Sequence, residues 1–99
     1  MTIRHVFLWS VQDDERHGQS VLEELAGLAD QIPDVRNWAI GRHNGAEHIG
    51  SGGRYDYALT CDFEDAESMA AYNDHPAHQS ALQRVMPLYA DWTVVDLDL

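Results

Sequence analysis

Apolar residues follow two different rhythms along this chain, and the switches between them mark out its elements. Ile3 to Val11 is rich in β-branched and aromatic residues and stops at the polar run Gln12-Asp13-Asp14-Glu15, which predicts a strand followed by a helix start, where carboxylates suit the positive end of the helix dipole. From about Glu15 to Gln31 the period lengthens. Val21, Leu22, Leu25, Leu28, Ala29 and Ile32 fall on one helical face, and Pro33-Asp34 ends it. Gly18 and Gly27 interrupt that helix at about 1 kcal/mol each relative to alanine, so packing must hold it. Val35 to His43 reads as a second strand, and Asn44 to Arg54, with four glycines, as a surface loop. Tyr55 to Phe63 alternates, with Tyr55, Tyr57, Leu59, Cys61 and Phe63 on one face and Asp56, Ala58, Thr60 and Asp62 on the other. Asp65 to Asn73 predicts a short helix. Asp74-His75-Pro76 breaks it, and a third helix runs from Pro76 to about Tyr89, since proline suits a first helical turn. Trp92 to Leu99 is a last strand.

The order β-α-β-β-α-α-β over 99 residues is that of one domain, an α+β, ferredoxin-like split β-α-β unit with a four-stranded antiparallel sheet. Helices cover one face of such a sheet. The chain has nothing left for the other, on which Val6, Leu8, Ile40, Ala58, Val95 and Leu97 are expected. A second subunit laid sheet against sheet would bury that apolar patch, which predicts a homodimer, a dimeric α+β barrel. A chain this short also gains from pairing because its own core is modest.

Charge and cysteine usage narrow the partners. Seventeen acidic residues face six arginines and no lysine, for a net charge of −11. Phosphate binding needs a basic patch, so nucleic acid and anionic membrane surfaces are excluded as expected partners, and a small molecule is favoured. Cys61 stands alone, so no intrachain disulfide can form and a reducing compartment, the cytoplasm, is expected. The opening MTIRHVFLWS has no long apolar run or small-residue cleavage site and is not read as a signal peptide.

Chemistry concentrates on a few residues. Period two along the first strand sets His5, Phe7 and Trp9 on one face, and along the last strand Trp92, Val94 and Asp96. Facing the helices, they would enclose an aromatic-lined pocket holding one imidazole and one carboxylate. His75-Pro76-Ala77-His78 is the most distinctive string. It places His78 in the first turn of a helix with Tyr72 six residues earlier, an imidazole able to take a proton beside a hydroxyl able to bond a developing oxyanion. His75 suits a helix cap or the pocket rim. His5, His75, His78 and Asp96 are chemically able to bind a metal, but their spacing matches no recognised zinc or iron pattern, and no metal or cofactor is expected. Cys61 has no base partner, Ser10 and Ser80 have no glycine elbow, and the Gly45-to-Gly53 segment is no phosphate loop.

These residues together resemble the stress-responsive dimeric α/β-barrel family, Dabb, over nearly the whole chain. The resemblance is carried by Ile3-Arg4-His5-Val6-Phe7-Leu8-Trp9, by Leu25 to Val35 through Ile32-Pro33-Asp34, by Tyr55-Asp56-Tyr57-Ala58-Leu59 and Asp62-Phe63-Glu64-Asp65, by Ala71-Tyr72-Asn73-Asp74-His75-Pro76-Ala77-His78-Gln79 and by Val94-Val95-Asp96. It implies a barrel closed by dimerisation. For function it implies a range: stress proteins without known chemistry, lyases of small carbonyl adducts, and polyketide cyclases of the olivetolic acid kind, which close a linear poly-β-ketone by aldol condensation. On the cyclase pattern His78 would be general base, Tyr72 its partner and His5 a supporting residue. Related antibiotic-biosynthesis monooxygenases share the fold. Phe7 and Trp9 on the first strand, and Leu22, Gly27 and Leu28 on the facing helix, depart from the cyclase pattern and change the cavity's shape, favouring a compact or aromatic substrate over a long alkyl chain.

Overall fold

Strands and helices alternate in the predicted order: β1 (Ile3–Val11), α1 (Asp14–Ala26), β2 (Arg36–Arg42), β3 (Tyr57–Phe63), α2 (Ala66–Asp74), α3 (Pro76–Val85) and β4 (Tyr89–Asp98). The computed structural model describes residues 1–50 and 53–99; Ser51 and Gly52 of the glycine-rich loop lie outside the described residues. The strands form one antiparallel sheet in the order β2-β3-β1-β4, the ferredoxin-like arrangement. No helix among the described residues is long and apolar enough to cross a membrane.

The register fixes which side chains meet. His5 lies opposite Cys61 and Asp96, Phe7 opposite Leu59 and Val94, and Trp9 opposite Tyr57 and Trp92. This face packs against the helices, and its core joins Trp9, Tyr57, Leu59, Cys61 and Phe63 to Val21, Leu25, Leu28, Ile32, Tyr72, Ala81, Val85 and Tyr89. The helix of Glu15–Gln31 is shorter than its apolar periodicity suggests. It ends at Ala26, and a 3₁₀ turn over Gly27–Asp30 carries Leu28 and Ile32 into the core. The Gln31 amide donates to the Gly27 carbonyl at 3.1 Å, and the N–H groups of Gln31 and Ile32 donate to the Leu28 carbonyl.

Gly18 has a structural reason. Tyr57 Oη donates to Asp14 Oδ1 at 2.6 Å, Arg42 pairs with the other Asp14 oxygen, and the Arg42 guanidinium lies over the Tyr57 ring. A Cβ at Gly18 would collide with both the Tyr57 hydroxyl and the Asp14 carboxylate.

Two expectations are corrected. Ile40, expected on the open sheet face, lies opposite Leu59 and packs against the core. The cause is an irregularity between Arg36 and Ala39: Asn37 takes a left-handed conformation, φ 52°, and a one-residue slip exchanges the faces of a strand. Tyr89, expected at the end of the third helix, opens β4. Pro87 cannot donate to a continuing helix. The chain turns through a 3₁₀ segment at Met86–Leu88, and Gln12 holds the exit, its N–H donating to the Leu88 carbonyl and its side chain to the Tyr89 carbonyl at 2.9 Å.

The opposite face carries Arg4, Val6, Leu8, Ala58, Thr60, Asp62, Val95 and Leu97. Among the described residues no helix covers it, and Val95 and Leu97 are 52% and 43% exposed. Its charges are internally matched. Arg4 donates to both oxygens of Asp62 at 2.8 and 3.0 Å, and Asn37 Nδ2 adds a third bond at 2.8 Å. The Arg4 and Asn37 hydrogen bonds hold the Asp62 pKa down at about 2.

Candidate active site

Between the helix-facing side of the sheet and the helices lies a cavity of about 180 Å³. His5 and Phe7 of β1, Leu59 of β3, and Tyr89, Trp92 and Val94 of β4 form its sheet side. Leu25 of α1, Tyr72 and Asn73 of α2, and His78, Leu82 and Met86 close it from above. Trp92 stays 49% exposed at the rim.

The sheet supplies one imidazole. His5 sits opposite Asp96 in the β1–β4 register, and Nδ1–H donates to Asp96 Oδ1 at 2.7 Å. A carboxylate can only accept, so this bond orients the ring and leaves Nε2 at the cavity. The His5 ring centroid lies 6.3 Å from that of Tyr72.

The junction of α2 and α3 supplies the second. Asp65 caps α2, its Oδ1 accepting from the Ser68 N–H at 2.8 Å. The helix ends at Asp74. His75 then adopts an extended conformation, and Pro76 occupies the first turn of α3. His75 Nδ1 accepts from the Ala77 N–H at 3.0 Å. The residue predicted at the cap or rim is therefore the cap of α3, and it does not line the cavity. Three residues on, His78 Nδ1 is 3.1 Å from the Asn73 carbonyl, which also accepts from Gln79 Nε2 at 2.6 Å. A carbonyl can only accept, so His78 Nδ1 carries the hydrogen and Nε2 keeps its lone pair in the neutral ring. The Tyr72 ring packs against His78 at 4.5 Å between centroids.

Electrostatics favour this division of roles. Burial holds the His78 pKa below the ordinary imidazole value; the Asn73 bond opposes this, and His5 and His75 add to it. Burial, reinforced by Cys61 and by Tyr89, pushes the Tyr72 hydroxyl well above its ordinary range, so it stays a donor. Burial raises the Cys61 thiol to about 12, which leaves it un-ionised and unsuited to nucleophilic work. Among the described residues no three His, Cys, Asp or Glu side chains converge as metal ligands.

The structure thus gathers His5, Phe7, Tyr72, His78, Trp92 and Val94 around one space. Asp96 reaches it through His5. Trp9, expected in the pocket wall, is a core residue instead. It is 0% exposed and sandwiched between Phe7 and Tyr57 at 5.1 and 5.4 Å. Sequence reasoning missed Tyr89, Leu82, Met86 and the Asn73 carbonyl as parts of the site. Pro87 was the available signal for Tyr89, since a helix ending there returns the next aromatic to the sheet.

A larger concavity of about 480 Å³ lies on the β2–β3 side, over Leu8, Ala39, Gly41, Ala58 and Thr60, and it is part of the face that no helix covers.

An uncharacterized protein of Streptomyces coelicolor is similar to this chain, 29% identical over 100 residues and covering 97% of this chain and 98% of that one. Among solved structures, a dimeric ferredoxin-like protein of unknown function from Thermobifida fusca superposes with a TM-score of 0.82 at 33% identity, over 100% of this chain and 92% of that one. The hydroxynitrile lyase of Passiflora edulis superposes with a TM-score of 0.84 over 99% of this chain and 93% of that one, at 11% identity, a likeness of fold alone. Over residues 3–99 the sequence matches the family described as Stress responsive A/B Barrel Domain, and the chain belongs to that family, Dabb.

Proposed function

We propose that this protein is a homodimeric, cofactor-independent acid/base enzyme acting on a small carbonyl compound, its reaction an aldol cyclisation of the polyketide-cyclase kind or the related lyase chemistry. The observation that carries the reading is the bond from His78 Nδ1–H to the Asn73 carbonyl, which leaves a basic Nε2 on a cavity-lining residue whose ring packs against that of Tyr72. In the forward step Nε2 takes the proton from a carbon α to a carbonyl, and Tyr72 donates a hydrogen bond to the enolate oxygen. The enolate carbon attacks a second carbonyl of the same molecule. A carbon–carbon bond forms, and the new alkoxide recovers the proton from the His78 imidazolium. His5, aimed by Asp96, positions the substrate. The cavity of about 180 Å³ is below the roughly 300–1,000 Å³ of drug-sized ligand sites, which supports a compact substrate. The likeness of fold to a hydroxynitrile lyase is compatible with such a reaction.

The homodimer rests on the uncovered face with Val95 and Leu97 and on the dimeric relative from Thermobifida fusca. A second reading, a ligand-binding barrel without catalysis, is favoured by one observation: the hydrogen bond of His78 goes to backbone, a bond that also serves structure alone.

Solvent-deuterium exchange at the α-carbon of small ketones and β-keto esters, followed by NMR, separates the two. The wild type should accelerate exchange, with a rate that rises with pH through an apparent pKa below 6.5 and levels above it, because only the neutral ring is a base. His78→Gln should lower the acceleration by about 10²–10⁴ with an unchanged circular dichroism spectrum. A folded and fully active His78→Gln overturns the enzymatic reading. Binding of the same compounds without exchange by the wild type selects the non-catalytic one.

A further inference from the structure

Among the described residues three buried polar side-chain atoms lack a hydrogen-bond partner: Trp9 Nε1, Trp38 Nε1 and Tyr89 Oη. Trp9 is enclosed by stacked rings and does not border the cavity. Trp38 packs against the core from β2. Tyr89 differs. It is 7% exposed, it lines from the sheet side the same cavity that Tyr72 and His78 close from the helix side, and its ring meets that of Phe7 edge to face at 5.8 Å between centroids. An unmet hydroxyl in a buried setting is destabilising to the protein that carries it. Phenylalanine would fill the same space without that cost. A hydroxyl kept there is explained by an acceptor that arrives from the cavity and, because Oη itself has less than 1 Å² of accessible surface, displaces a neighbouring side chain to reach it.

We propose that Tyr89 is a ligand-positioning residue: its hydroxyl donates a hydrogen bond to a second oxygen of the bound molecule, complementing the Tyr72 hydroxyl at the first. The ligand is then a compact molecule with two acceptor oxygens rather than a simple monoketone. The inference rests on the reading that this cavity binds a small carbonyl compound, but not on catalysis by His78. Burial raises the Tyr89 hydroxyl well above its ordinary range, which keeps it a donor at any physiological pH.

The test compares wild type, Tyr89→Phe and Tyr72→Phe, with 2,4-pentanedione and 2-butanone as probes in calorimetric binding, and with thermal melts of the ligand-free proteins. The wild type should bind pentanedione more tightly than butanone. Tyr89→Phe should weaken pentanedione binding by about five- to tenfold, the value of one hydrogen bond, leave butanone binding unchanged, and melt at the same temperature as wild type or higher. Tyr72→Phe should weaken both probes. A lower melting temperature for Tyr89→Phe shows that the hydroxyl is already partnered within the folded protein, and it overturns the proposal. So does pentanedione binding that is unchanged in Tyr89→Phe, which would assign the hydroxyl to an ordered water. Failure of the wild type to bind pentanedione better than butanone overturns it as well. If pentanedione behaves as expected while His78→Gln retains full exchange activity, the acid/base reading fails and the Tyr89 assignment stands.

Discussion

Asp62 shows how much a single residue can depend on distant chain. Its carboxylate accepts three hydrogen bonds, from Arg4 and from Asn37, and these hold its pKa at about 2, against 3.8 ordinarily. The folded value lies below the unfolded one. The stabilisation is therefore fully present above about pH 4 and is lost as the pH falls from there through 2. Asp62→Asn should lower stability at neutral pH and flatten the acid-unfolding curve between pH 4 and pH 2, as followed by circular dichroism; an acid limb as steep as that of wild type would refute this account. The alternation of β3 placed Asp62 on the polar side from sequence alone. Its clamp was not legible, because Arg4 lies 58 residues away and Asn37 reaches it only through a left-handed backbone conformation. The same holds in the candidate site. His5, Tyr72 and His78 could be singled out by residue type and spacing, whereas the orphaned hydroxyl of Tyr89 is a property of three-dimensional surroundings.

At the scale of elements, periodicity carried most of the information and chain breaks carried the errors. The strand and helix order followed from where period two gave way to period 3.6, and the Asp74-His75-Pro76 break fell where α2 passes into α3. The end of α3 was misplaced because the apolar pattern runs on through Met86 and Leu88, while Pro87 stops the helix physically. α1 offers a direct test of packing against propensity. Replacing Gly18 by alanine adds about 1 kcal/mol of helix propensity, but the new methyl group collides with the Tyr57 hydroxyl and the Asp14 carboxylate, and overpacking costs about 1–3 kcal/mol. Gly18→Ala should be destabilising on balance, by up to about 2 kcal/mol in urea unfolding. A stabilised variant would show that Tyr57 can move aside freely. Gly27, beside which a Cβ meets only the Gln31 side chain at 3.7 Å, should tolerate the same change.

For the whole molecule, the open sheet face was legible as a requirement before it was visible as a surface. A four-stranded sheet with helices on one side leaves its other side apolar. The exception was Ile40, whose face was exchanged by the irregularity in β2. Placing charge on this face tests the proposed dimer. Each buried Val or Leu contributes about 1.5–3 kcal/mol, so Val95→Glu with Leu97→Glu should weaken self-association by at least about a hundredfold and give monomers in sedimentation analysis at micromolar concentration. A dimer of unchanged affinity would place the interface elsewhere. The cavity sits between two parts of the molecule that are tied differently. Its floor, with His5 and Asp96, belongs to the rigid ladder of β1 and β4. The nitrogen proposed as its base belongs to the corner between α2 and α3, where the Asn73 carbonyl and the Pro76 turn together set the direction of the His78 ring. The aim of the His78 ring is consequently an angle between two short helices, and a change of a few degrees at that corner re-aims the imidazole while every residue of the sheet stays where it was. Substitutions at that joint would thus retune the proposed chemistry with the walls of the chamber left as they are.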